Sequence, residues 1–69
     1  MIDTNALRGR IAEKGFSQSD VAKAIGITPK TFYTKMDKKV FGSDEIDAMI
    51  ELLDIKDPVR IFFADKVTL

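Results

Sequence analysis

The side chains best equipped for chemistry lie between Thr28 and Lys39. That stretch holds four lysines, three threonines and the only tyrosine of the 69-residue chain, against one carboxylate, Asp37. Ammonium, hydroxyl and phenol groups donate hydrogen bonds to phosphate oxygens and to base edges, and no acid–base or nucleophile–base pair stands among them. If the stretch is helical and Phe32 is its buried anchor, steps of about 100° per residue put Lys30, Tyr33, Thr34 and Asp37 on the opposite side. All of these except Asp37 can reach a phosphate or a base. Enzymatic readings find little material. The chain has no histidine and no cysteine, which removes disulfides, thiolate chemistry and most zinc sites. There is no phosphate-cradling glycine loop either, so neither an enzyme nor a bound cofactor or metal is expected.

Two capped helices must position that face. Ser17 is a good N-cap, and Asp20 three residues later is a shortened capping-box partner. Val21, Ala22 and Ile25 make a narrow apolar stripe, with Ala22 small where two helices must approach. Gly26 follows the last periodic residue, where a left-handed backbone suits glycine. Ile27 plugs the turn, Thr28 caps the next helix and Pro29 sits at its first position, where a missing N–H does no harm. This is the grammar of a helix-turn-helix, whose second helix enters the major groove of DNA.

The rest of the chain reads as three more helices. The first covers about Thr4 to Lys14, with Leu7 and Ile11 as its core stripe, Gly15 ending it and Phe16 folding back. The second covers about Gln18 to Ile25 and the third about Pro29 to Met36, with a loop from Asp37 to Gly42. Ser43 is expected to cap the fourth helix, whose first turn carries Asp44, Glu45 and Asp47, as the helix dipole favours. Its apolar face is Ile46, Met49, Ile50 and Leu53. Asp57 and Pro58 restart the chain as N-cap and first residue of a short fifth helix to about Ala64. The expectation is an all-α, compact five-helix domain over residues 1–64 with a tail over 65–69. Phe62 and Phe63 are adjacent and cannot both face inward. One of them, or the apolar tail with Val67 and Leu69, is therefore expected in a protein interface.

Formal net charge is zero, unlike many small nucleic-acid binders, whose affinity rests on neutralising phosphates. The distribution is uneven, however. Residues 28–42 carry Lys30, Lys35, Lys38 and Lys39 against Asp37, giving +3. Residues 43–57 carry six carboxylates against Lys56, giving −5. The positive end coincides with the proposed recognition helix and the loop after it. The acidic block reads as dipole complementarity and solubility, or as a docking face for a basic partner through Asp47 and Glu51. No apolar run is long enough to span a membrane and no signal-peptide pattern is present, so a cytoplasmic chain without a membrane partner is expected.

Over about Asn5 to Ile55 the sequence resembles the lambda-repressor-like family of phage repressors, Cro proteins and xenobiotic-response-element-type regulators. The residues that carry the resemblance are Ser17, Gln18, Ala22, Gly26, Ile27 and Phe32. The run Thr31-Phe32-Tyr33-Thr34-Lys35-Met36 and the ending Asp57-Pro58-Val59-Arg60-Ile61-Phe62-Phe63-Ala64 are similar to small regulators of temperate phages of Gram-positive bacteria. The resemblance implies a lambda-repressor-like domain that binds double-stranded operator DNA, as a homodimer on a palindrome, in a lysis–lysogeny switch. It also implies an alternative, an antirepressor whose main partner is the phage repressor. By the same resemblance Gln18 meets a phosphate or outer base, and Lys30, Tyr33 and Thr34 read bases, with Thr28 and Thr31 beside them. Lys38 and Lys39 touch backbone phosphate, and Arg10 reaches a flanking phosphate. Two departures stand out. Pro29 replaces a polar side chain, and Lys35 replaces a buried aliphatic residue whose packing Met36 is expected to take over.

Overall fold

The computed structural model describes residues 1–66, all of whose regular elements are helical. They are α1 (Thr4–Glu13), α2 (Gln18–Ala24), α3 (Pro29–Lys38), α4 (Ser43–Leu52) and α5 (Pro58–Phe62), with a short 3₁₀ turn over Ala64–Lys66. The chain is an all-α domain of five helices. The expected apolar contribution of Val67 and Leu69 lies outside the described residues.

Caps fix where these helices begin. The Asp3 carboxylate accepts the Ala6 N–H ahead of α1. At α2 the Ser17 hydroxyl accepts the Asp20 N–H at 3.0 Å while the Asp20 carboxylate accepts the Ser17 N–H at 2.9 Å. The shortened capping box is therefore closed, and these bonds hold the Asp20 carboxyl below its ordinary pKa. At α3 the Thr28 hydroxyl accepts the Thr31 N–H, with Pro29 at the first position. One expected cap differs. Ser43 lies inside α4 and Gly42 is its N-cap; Glu45 reaches back to accept the Gly42 N–H at 2.8 Å. Asp57 holds the N-cap position of α5 without a side-chain cap bond, because its carboxylate pairs with Arg60 at 2.9 Å.

One device ends α1 to α4. Gly15, Gly26, Lys39 and Asp54 each take a left-handed backbone. The next residue, Phe16, Ile27, Val40 or Ile55, returns its N–H to the carbonyl five positions earlier at 3.0–3.1 Å, which satisfies end-of-helix carbonyls. This carries α3 to Lys38, two residues beyond its expected end at Met36.

The core gathers Leu7 and Ile11 from α1, Val21 and Ala22 from α2, Phe32 and Met36 from α3, Met49 and Leu53 at α4, and Phe62 from α5. Ala22 is fully buried, as close approach of helices requires. Four core residues lie outside the helix ranges: Leu53, the C-cap of α4, with Ile2, Ile55 and Phe41, whose ring stands 5.2 Å from that of Phe32. Met36 is buried and Lys35 half-buried, so the apolar position is indeed shifted by one. Phe62 and Phe63 divide as adjacent helical positions must: Phe62 is 2 % exposed and Phe63 48 %. This corrects the expectation for Phe62, which belongs to the core and not to an interface. Residues 65 and 66 do not leave the domain as a tail. Ala64 N–H donates to the Met1 carbonyl, and the N-terminal ammonium pairs with Asp65.

Candidate nucleic-acid interface

The stiffness of α3 comes from both ends and from beneath. Its first turn is tied by Thr28, whose hydroxyl also donates to the Thr31 hydroxyl at 2.9 Å, and its last turn by the Lys39 cap. Beneath it, Phe32 and Met36 are locked in the core. A four-residue connection over 25–28, with Gly26 at φ +87, leads in from α2, which packs heavily on α3.

On this support Lys30, Thr31, Tyr33, Thr34, Asp37 and Lys38 are all exposed. Tyr33 is half exposed, its ring set edge-on to Phe32 with centroids 6.5 Å apart. Its phenol is therefore presented from a fixed base. The Thr34 hydroxyl donates to the Lys30 carbonyl at 3.1 Å, which leaves its oxygen lone pairs to accept. Lys39 is exposed at the helix end. Gln18 opens α2 and is half-buried beside the Ser17 cap.

Lys35 belongs to a different group. Its ammonium contacts both carboxylate oxygens of Glu45, at 2.7 and 2.8 Å, and Glu45 is the residue that caps Gly42. Burial raises the Glu45 pKa, but the Lys35 and Gly42 hydrogen bonds and the Lys35 charge outweigh it and hold the carboxyl below its ordinary value. This junction joins α3 to the start of α4 and so orients the exposed face.

Arg10 is also engaged within the domain. Its Nε donates to the Leu53 carbonyl at 2.8 Å and a terminal nitrogen to the Asp54 carbonyl at 2.9 Å. Glu13 stands 4.0 Å away. The guanidinium clamps α1 to the C-terminal end of α4, where cations are favoured. Asp47 and Glu51 are exposed on α4, apart from the lysine face in sequence and by helix.

Beside α3 runs an open groove of about 490 Å³, with Lys30, Thr31, Thr34 and Lys38 on one wall and Val40 and Phe41 on the other. Sequence reasoning missed Val40 and Phe41 because they lie in the connection after α3, where no helical period marks an apolar residue. The one available signal was an apolar pair directly after a basic run.

The site therefore presents cations, hydroxyls and a phenol from one rigid helix, with no nucleophile activated by a base. The model of the family described as "Protein of unknown function (DUF739)" matches residues 1–66. No curated protein and no solved structure matches the chain.

Proposed function

The chain belongs to this family of unknown function; from its surface we propose that it is a DNA-binding transcriptional regulator, and from its resemblance to small phage regulators that it serves a phage lysis–lysogeny switch. In this reading α2 and α3 form a helix-turn-helix and α3 enters the major groove. The observation that carries it is the outward Lys30, Tyr33 and Thr34 on a helix fixed at both ends. Lys38 and Lys39 set register on phosphates. Lys30, Tyr33 and Thr34 read base edges, with Thr31, Thr28 and Gln18 at the margin. Arg10 is left out of this interface because its guanidinium is held by the Leu53 and Asp54 carbonyls.

The experiment is a fluorescence-anisotropy titration on duplexes tiling the DNA around the chain's own gene, repeated across salt. Phosphate contacts from Lys38 and Lys39 predict a log–log slope near −1.8, from about −0.9 per phosphate. Lys30→Ala and Thr34→Ala should each cost roughly 1–3 kcal/mol of discrimination between the tightest duplex and random DNA. A change no larger than that from Lys66→Ala would assign the face wrongly. The antirepressor reading is favoured by the exposed apolar side chains Val40 and Phe63. Absence of DNA binding near physiological salt, with a tight complex with the phage's repressor, would select it.

A further inference from the structure

A duplex accounts for only one wall of the groove beside α3. Phosphates match its lysines, but Val40 offers a phosphate nothing. Val40 occupies the position that, after α1, α2 and α4, packs its side chain on the core, as Phe16, Ile27 and Ile55 do. After α3 the same backbone device buries Phe41 and leaves Val40 64 % exposed in the groove wall.

The opposite wall is rich in donors. Lys30 and Lys38 line it with exposed ammonium groups. Their Cα atoms stand about 12 Å apart along the helix, a gap that two flexible stems can close on one anion. The Thr31 hydroxyl oxygen accepts from Thr28, which leaves the Thr31 proton to donate. Among the described residues no carboxylate lines the groove. Glu45, on the neighbouring helix, is held by Lys35 and the Gly42 N–H.

We propose that this groove binds a small organic carboxylate with one apolar body. The Lys30 and Lys38 ammonium groups and the Thr31 hydroxyl hold the anion, and the body lies against Val40 and the edge of Phe41. Size and shape select such a ligand over a macromolecule. The volume of about 490 Å³ falls within the roughly 300–1,000 Å³ usual for small-molecule sites. A docked peptide helix needs apolar anchors repeated along its length, and Val40 is the one exposed apolar side chain among the described lining residues. Strand addition needs a sheet edge, and the described regular elements are all helical.

Lys30, Thr34 and Lys38 belong both to this groove and to the face assigned to DNA. Carboxylate and duplex therefore exclude each other, a consequence that rests on the DNA reading, whereas the site itself does not.

The test follows the backbone amides of the full chain by NMR, with 2-naphthoate as probe. Amides of Thr31, Thr34, Lys38, Val40 and Phe41 should shift saturably, with Kd on the order of 1 mM for a ligand of this size. The same body with opposite charge, 2-naphthylmethylammonium, should bind at least about fivefold more weakly. Acetate, an anion without a body, and hexaglutamate, an acidic peptide, should leave Val40 and Phe41 unmoved. Lys38→Gln should weaken the probe roughly 1.5- to 5-fold, the contribution of an exposed ion pair. Val40→Asp should abolish saturation with unchanged helical circular dichroism, and Lys66→Gln should bind like the parent. Absence of saturable shifts up to about 10 mM, ten times the expected Kd, overturns the proposal. So does binding that survives Val40→Asp, or an ammonium analogue as tight as the acid. Hexaglutamate shifting Val40 and Phe41 as tightly as the probe overturns it in favour of an acidic peptide. Competition is read separately, as release of the tightest duplex by 2-naphthoate in fluorescence anisotropy. Saturable binding without release overturns the competition alone. Saturable binding while no duplex is bound defeats the DNA reading and leaves the carboxylate site standing.

Discussion

Replacing Arg10 with alanine separates a structural clamp from a phosphate contact. The guanidinium makes two charge-assisted hydrogen bonds to the carbonyls of Leu53 and Asp54, and its side chain is 26 % exposed. Bonds of this kind contribute about 1.5–3 kcal/mol each when fully shielded. Asp54 is exposed, so water partly takes over its carbonyl, and the combined loss should be about 2 kcal/mol. In a domain of this length each kcal/mol moves Tm by roughly 4–8 °C, which predicts a fall of about 8–16 °C. Urea and thermal unfolding followed by circular dichroism read this directly. Arg10→Lys should recover less than half, because a point charge cannot bridge two carbonyls as a planar fork does. Arg8→Ala, which loses only an exposed bond to Asn5, is the control and should stay within about 0.5 kcal/mol of the parent. Well below Tm, DNA affinity and its salt slope should be unchanged in Arg10→Ala. A slope that falls by about 0.9 with stability intact would refute the clamp and restore the phosphate contact.

Two further outcomes follow from the same structure. The Glu45 carboxyl titrates below its ordinary value of 4.5, so its contribution is complete above that pH and is lost as pH falls through the depressed value. Urea midpoints between pH 7 and pH 3 should therefore drop less in Glu45→Gln than in the parent, and equal drops would show that the Lys35 junction contributes nothing. Gly26→Ala should destabilise by about 1–2 kcal/mol although nothing stands within 4 Å of the added carbon, because the cost lies in the positive φ. Gly9→Ala, in open space within α1, should instead stabilise by up to about 1 kcal/mol, so that opposite signs in chemical unfolding check the backbone argument.

The helices were legible wherever their ends are written in side chains. Ser17, Asp20, Thr28 and Pro29 announce two starts, and Gly15 and Gly26 announce two stops. Lys39 and Asp54 take the same left-handed conformation without being glycine, so the end of α3 was placed early. At Gly42 the cap comes from Glu45 three residues on, and Ser43 was a decoy of the right residue type. The polar face of α3 was legible because it follows from Phe32 and the helical period alone. The tasks of Arg10 and Lys35 were not, because their partners, Leu53 and Asp54 for one and Glu45 for the other, stand 10 to 44 positions away. Phe41 and Val40 escaped for another reason. A connecting loop has no period, so burial at one position and exposure at the next leave no mark in the sequence.

Zero net charge is compatible with a DNA-reading face because a ligand responds to local field before total charge. The described chain extends 35 Å along its longest axis, whereas charges are screened over about 8 Å at physiological ionic strength. Lys30, Lys38 and Lys39 stand exposed along α3, while Asp44, Asp47 and Glu51 stand exposed along α4. Lys35 and Glu45, the pair nearest the junction of the two helices, cancel each other. At physiological salt a duplex on α3 therefore responds first to Lys30, Lys38 and Lys39, with Asp37 among them, and α4 carboxylates beyond the screening length contribute little. At low salt the screening length grows and the α4 carboxylates begin to repel the same duplex. Affinity should then rise less steeply on dilution than the phosphate-contacting lysines alone would give. A curve that flattens at the low-salt end, with its full slope only at higher salt, is the signature expected of a neutral domain with separated charge.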